Sequence, residues 1–243
     1  MYKSQNMFHT STDDTVVWRY LDFEKFVDLI TSHELFFCRS DKFEDPFEGI
    51  LKLPDSLPSE IERNSLTKKF YFLNCWHINE FQSAAMWKLF LKTNNGIAIK
   101  TTVGKIKKSI SNNSEEVFIS KVYYKDFSNT THTDLMDDPL NRYPNSASGG
   151  SYSQFNYKRK SFEHEQELRL IYIDMPIPHA LKDGIPREPI ESKKISVVLE
   201  DLIQEIMISP TADDWFKELI TRLLTQLKLR QFKVQKSNLY ELE

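Results

Sequence analysis

An α+β fold is predicted from three observations. Short β-rich runs alternate with helical patterns along the chain. No internal repeat or clean linker divides it. The six glycines among 243 residues form neither a Gly-x-Gly-x-x-Gly nor a P-loop motif, which sets aside the common phosphate-cradling loops. Together these predict one domain over residues 1–243, with its core at about 16–237, built of mixed or antiparallel sheets flanked by helices.

The elements follow in order. Thr15–Tyr20 is β-rich and predicts a strand. Asp22 then caps a helix through Phe23, Phe26, Val27, Leu29 and Ile30, which recur at helical spacing. Glu34–Arg39 returns as a strand and leads into the turn-rich run 40–49. Residues 51–66 predict a surface excursion with a short helix. Lys69–Trp76 is the next strand, and Ser83–Leu91 a helix with Met86, Leu89 and Phe90 inward. Gly96–Lys100 and Val117–Tyr124 are strands separated by a basic helix over Val103–Ile110. Residues 125–151 are rich in Asn, Thr, Ser and Asp and end in Ser148-Gly149-Gly150, predicting a long mobile loop. Tyr152–Lys160 reads as a basic helix and Glu165–Asp174 as a strand; Pro176, Pro178, Pro186 and Pro189 then mark an irregular stretch. Strands at Lys194–Leu199 and Glu205–Ser209 precede a helix over Asp214–Lys228 with Trp215, Leu219, Leu223 and Leu224 on one side. Phe232 and Val234 predict a closing strand.

Composition narrows the function classes. The chain is 40% hydrophobic and 13% aromatic, far from a disordered or fibrous composition. With 32 basic against 35 acidic residues, no overall field favours nucleic acid. No apolar run reaches a membrane span, and Met1–Met7 lacks a signal-peptide core, so a cytoplasmic protein that avoids membranes is expected. Cys38 and Cys75 are too few for a structural zinc site and read as buried thiols; the six histidines show no metal-ligand pairing, so no metal is expected.

Four constellations could carry chemistry. Period-two alternation puts Glu165, Glu167 and Arg169 on one face of a strand that becomes apolar on both faces beyond residue 170. Either the charges enter the core, where ions persist only when paired or used, or they form a solvated edge ladder. In Trp18-Arg19-Tyr20, Arg19 points away from two aromatics, as a phosphate-binding arginine or as a surface residue beside core rings. Asp45 and Glu48, flanking Pro46 and Phe47, fit a helix capping box or a pair of cleft carboxylates. His77 leaves a strand end, from which side chains often reach a site. Lys158-Arg159-Lys160, with Tyr152, Phe155 and Tyr157 interleaved, reads as a solvated face or a weak nucleic-acid patch.

These runs, together with Leu35–Ser40, Cys75-Trp76-His77, Met86-Trp87, Gly96–Ile99 and Phe162-x-x-Glu165-x-Glu167-x-Arg169, resemble the bacterial family known as domain of unknown function 2971, from about Val16 to Ser209-Pro210. More distantly, a first-strand Arg and a late strand beginning Glu-x-Glu resemble the ADP-ribosyltransferase fold, although no clear Ser-Thr-Ser strand lies between them. That resemblance implies Arg19 as the NAD anchor, Tyr20 as a nicotinamide stacking partner, Glu167 as the catalytic carboxylate and Glu165 as the residue orienting the acceptor. Arg169 joins Glu165 and Glu167 as an expected catalytic residue, and Asp45, Glu48 and His77 join Arg19 and Tyr20 as expected NAD-binding residues. The implied protein consumes NAD, acts as a toxin or defence effector, and takes a nucleotide-like small molecule with a protein or nucleic acid as acceptor. Two rival readings stand beside it: a metal-dependent hydrolase or nuclease using Asp45, Glu48, Glu165 and Glu167, and a non-catalytic nucleotide-binding or interaction module.

Overall fold

The computed structural model describes residues 11–112, 114–137, 153–174 and 188–241. In chain order the elements are β1 (Val16–Asp22), α1 (Phe23–Ser32), β2 (Glu34–Arg39), α2 (Pro58–Thr67), β3 (Tyr71–Ile78), α3 (Ala84–Phe90), β4 (Gly96–Thr102) and α4 (Val103–Ser109). There follow β5 (Phe118–Lys121), β6 (Tyr123–Lys125), α5 (His132–Asp137), β7 (Tyr157–Arg159), β8 (Glu167–Ile173), β9 (Ser192–Ser196), α6 (Leu199–Leu202), β10 (Glu205–Ile208), α7 (Asp214–Gln226) and β11 (Val234–Lys236). This is an α+β fold with mixed sheet pairing and flanking helices.

The chain divides into two compact units. The carboxylate unit holds Phe36–Cys75 and Ser114–Lys194; the aromatic unit holds Ser11–Leu35, Trp76–Asn113 and Ile195–Glu243. In the carboxylate unit, β8 pairs with β3 and with β5, the latter antiparallel with Ser120 opposite Arg169, while β6 and β7 form a parallel pair. Its core joins Tyr71, Leu73, Phe118, Phe155 and Ile171. Phe155 packs 4.5 Å from the Tyr71 ring, and its edge occupies the space a Cβ on Gly49 would need. Gly49 also has φ +68, so only glycine fits this close turn beside Glu48 without strain.

In the aromatic unit the hydrogen-bonded order is β11-β10-β4-β1. β1 and β4 run antiparallel from Val16 opposite Thr102 to Asp22 opposite Gly96, and the end of β3 places His77 opposite Trp18. Trp18, Tyr20, Ala98 and Met207 form one packed face with Met86 and Trp87 of α3.

Several elements differ from the reading above. Glu165 ends a 3-10 turn (Lys160–Glu165), and Gln166 at φ 41 breaks the chain before β8 begins at Glu167. The expected helix over Tyr152–Lys160 is, where described, a 3-10 turn (Ser153–Phe155) followed by β7. α3 buries Met86 and Trp87 and exposes Leu89 and Phe90. α7 buries Phe216, Ile220 and Leu224 and leaves Trp215 exposed, because Phe216 packs 5.7 Å from Phe23. Asp22 precedes α1, but its carboxylate accepts the Lys92 N–H rather than capping the helix. Within 125–151, α5 is helical; 138–152 lies outside the described residues, as do Met1–Met7, Pro176, Pro178 and Pro186. Cys38 and Cys75 form no disulfide and are half-buried.

Candidate functional site

Five ionisable side chains of the carboxylate unit converge: Glu48, Lys158, Glu165, Glu167 and Arg169. β8 carries Glu167 and Arg169 on one face, as period-two alternation requires. The left-handed residue Gln166 returns Glu165 toward them from the preceding turn. Lys158 enters from β7, and Glu48 from the turn ending at Gly49.

Arg169 is the hub. Its Nε donates to Glu167 Oε2 at 2.7 Å, its Nη1 donates to the Phe155 carbonyl at 2.9 Å, and the same nitrogen lies 2.7 Å from Glu48 Oε1. Lys158 Nζ donates to Glu165 Oε2 at 2.6 Å and to Glu167 Oε1 at 3.4 Å, and lies 3.6 Å from Glu48 Oε2. Glu48 Oε1 and Arg169 Nη2 are held by ion-pair contact without hydrogen-bond alignment. The Glu167 N–H donates to the Tyr124 hydroxyl at 2.8 Å.

Burial is graded across the cluster. The Arg169 and Glu48 side chains are 0% and 1% exposed, while Lys158 and Glu165 reach 8% and 10%. Glu167 lies between at 7%, so Glu165 is the member nearest solvent. Beside Lys158, Arg159 lies 4.8 Å from the Phe47 ring and 5.2 Å from the Phe162 ring, and its Nη2 donates to Asp45 Oδ1 at 2.8 Å.

The two adjacent glutamates titrate in opposite directions and share a hydrogen bond. Burial, then the neighbouring Glu167 carboxylate, pushes Glu165 up to about 7 against the pull of Lys158. Burial opposes ionisation of Glu167 too, but Arg169 and Lys158 outweigh it and hold that carboxyl down at about 2. Loss of hydration favours the neutral Lys158 amine, yet Glu167 and Glu48 keep the ammonium charged. Two cations thus face the carboxyls of Glu48 and Glu167, and Glu165 is the member of the cluster pushed toward its protonated form. Such divergent carboxyls are the pattern of an acid–base site.

Of the residues singled out from sequence, Glu48, Glu165, Glu167 and Arg169 are brought together, and Asp45 accompanies Arg159. The capping box does not form: Asp45 makes a local turn by accepting the Phe47 N–H at 3.0 Å, and Glu48 turns to Arg169 and Lys158. Lys158, read as part of a solvated run, is the residue missed; aromatic Tyr157 and Phe162 around it were the available signal. Tyr124 was missed as well.

Arg19, Tyr20 and His77 belong to the aromatic unit. There Arg19 Cζ lies 5.7 Å from the Trp76 ring centroid, and Tyr20 lies 6.4 Å from His77 and edge-on to Trp87 at 4.9 Å. The Tyr20 hydroxyl accepts the Ser83 N–H at 2.8 Å, and burial pushes this phenol up to about 12.

The four carboxylates of the metal-dependent reading are engaged by cations: Glu48, Glu165 and Glu167 face Lys158 and Arg169, and Asp45 faces Arg159. Among the described residues no group of three or more His, Cys, Asp or Glu is arranged to hold a metal ion. No helix among them is long and apolar enough to cross a membrane.

Residues 86–170 match the family described as Protein of unknown function (DUF2971). The match supports the resemblance noted above over this segment, which holds Lys158, Glu165, Glu167 and Arg169; Arg19 and Glu48 lie before it. No curated protein matches the chain.

Proposed function

We propose that this chain is an ADP-ribosyltransferase-like enzyme that consumes NAD, with the Glu165–Glu167 pair carrying the chemistry. The observation supporting it is the setting of that pair: Lys158 Nζ reaches Glu165 Oε2 at 2.6 Å and Glu167 Oε1 at 3.4 Å, Arg169 Nε holds Glu167 Oε2 at 2.7 Å, and burial pushes Glu165 up while the two cations hold Glu167 down. The choice of NAD follows from the resemblance of Arg19 and the Glu-x-Glu run to that fold, as does a role as a toxin or defence effector.

The chemistry fits the charges. The bond between nicotinamide and ribose breaks with its electron pair going to the ring nitrogen, so nicotinamide leaves neutral and needs no acid. Positive charge develops on the sugar, where a carboxylate stabilises it as in glycosidases. The acceptor's nucleophile then bonds to that carbon, and its proton passes to ionised Glu165. Ionisation of Glu165 also adds one negative charge to the cluster, so one deprotonation supplies both the base and charge that favours the cationic sugar. Glu48 and Arg169 act as positioning residues, holding Glu167 through the contacts at 2.5–2.7 Å.

The test is nicotinamide release from NAD between pH 5.5 and 8.5, with and without protein or nucleic-acid acceptors. The rate is expected to climb about tenfold per pH unit below 7 and level off above it. Glu165→Gln should flatten that profile, and Glu167→Gln should lower the rate by about 10²–10³-fold. No release with any acceptor, together with no NAD binding by calorimetry, would overturn the proposal and favour a non-catalytic module.

A further inference from the structure

The aromatic unit holds an open cleft of about 410 Å³. That volume lies within the range of roughly 300–1,000 Å³ typical of small-molecule sites. Trp87 and Lys88 come from α3, Lys92 from the turn after it, Ser209 and Thr211 from the turn leaving β10, and Tyr240 from the chain beyond β11. The lining carries two ammonium groups and no acidic side chain.

Its walls are held by specific contacts. Leu91 fills the space a Cβ on Gly96 would occupy, so the turn lies directly on the start of β4. The Ser209 N–H donates to the Gly96 carbonyl at 2.9 Å, tying the exit of β10 to the same point. The Lys92 N–H donates to Asp22 Oδ1 at 3.1 Å, which pins the backbone of the lysine-bearing turn. Ser209 and Thr211 hydroxyls lie 3.0 Å apart, and the Thr211 N–H donates to Ser209 Oγ at 3.3 Å. The Tyr240 ring is half-exposed, while Trp87 is buried against Tyr20 and donates its indole N–H to Gln82.

We infer that this cleft binds a small aromatic anion of the nucleoside monophosphate class. Its ring would stack on the exposed Tyr240, with the lining edge of Trp87 beneath it, and its phosphate would meet Lys88, Lys92 and the Thr211 hydroxyl. Aromatic faces bind any flat base, and lysine binds phosphate as a point charge. The inference requires no catalysis and does not depend on the glycosyl-transfer reading.

Calorimetric titration of the full chain with AMP tests it, with adenosine and inorganic phosphate titrated separately. Saturable AMP binding is expected, at least about tenfold tighter than either fragment, since ring and phosphate contacts add. Lys88→Ala combined with Lys92→Ala should weaken it about tenfold with the melting temperature unchanged, because both lysines are exposed. Glu165→Gln should bind AMP as the parent chain does. Absence of saturation, equal affinity for phosphate alone, or an unaffected double variant would overturn the inference. So would loss of binding in Glu165→Gln with the lysine variant intact, which would assign the nucleotide to the carboxylate cluster.

Discussion

Five ionisable side chains withdraw from water together in the carboxylate unit, whereas the aromatic unit buries neutral groups around Tyr20 and Trp87 and keeps Lys88 and Lys92 outside. The two arrangements store risk differently. Desolvated ions are tolerable only while every partner stays, since removing one leaves a bare charge in a poor solvent. A buried ring with one satisfied hydroxyl loses only that bond when trimmed. The first kind of site is easy to perturb electrostatically and suits proton chemistry; the second is a rigid frame for packing and shape.

The largest expected effect follows from removing the hub. Arg169→Met leaves Glu48 and Glu167 with Lys158 as their one remaining cation in the cluster, and should cost about 3–5 kcal/mol. Chemical denaturation would read this directly, and a loss below about 1 kcal/mol would erase the contrast between the units. The next effect depends on pH. The folded value of Glu165, about 7, lies above its ordinary 4.5, so the folded chain binds the extra proton between those values. Its contribution is therefore full below about 4.5 and is lost as pH rises through about 7, on the order of 1–3 kcal/mol. Glu167 acts oppositely: its contribution is present above about 4.5 and is lost as pH falls toward 2. Melting curves from pH 3 to 8 should show the decline above 4.5 in the parent chain, with a flatter course in Glu165→Gln; identical slopes would remove Glu165 from the account. The smallest effect belongs to the aromatic unit. Tyr20→Phe keeps the ring against Trp87 and loses only the acceptor of the Ser83 N–H, for about 1 kcal/mol. A cost as large as that of Arg169→Met would show that this neutral face is as tightly coupled as the ionic one.

How much of this was legible depended on whether a signal was local. Period-two alternation placed Glu167 and Arg169 on one face because both lie on β8, whose buried part is 167–171, while Tyr172 and Ile173 of the apolar run beyond residue 170 are half-buried. Glu165 reached the same cluster by another route, since the left-handed Gln166 is invisible to a strand pattern. Asp45-Pro46-Phe47-Glu48 satisfied a capping box locally, but Arg169, 121 positions beyond Glu48, competes for that carboxylate and gains more from it. Lys158 looked solvated because charge runs usually are; its burial depends on partners seven and nine residues away and on Glu48 far upstream. In α7 the stripe Trp215, Leu219, Leu223 and the stripe Phe216, Ile220, Leu224 have equal helical spacing. Packing against Phe23 chose the second, a tertiary decision that periodicity cannot make.

The central claim is that Glu165 and Glu167 form a split carboxyl pair, and carbon-13 NMR titration of the glutamate side-chain carboxyls tests it most directly. One resonance should titrate near 7 and disappear in Glu165→Gln, while another, lost in Glu167→Gln, should stay ionised down to about 2. If every glutamate instead titrates within about one unit of 4.2, as ordinary glutamates do, the pair is not split and the proposed chemistry loses its basis.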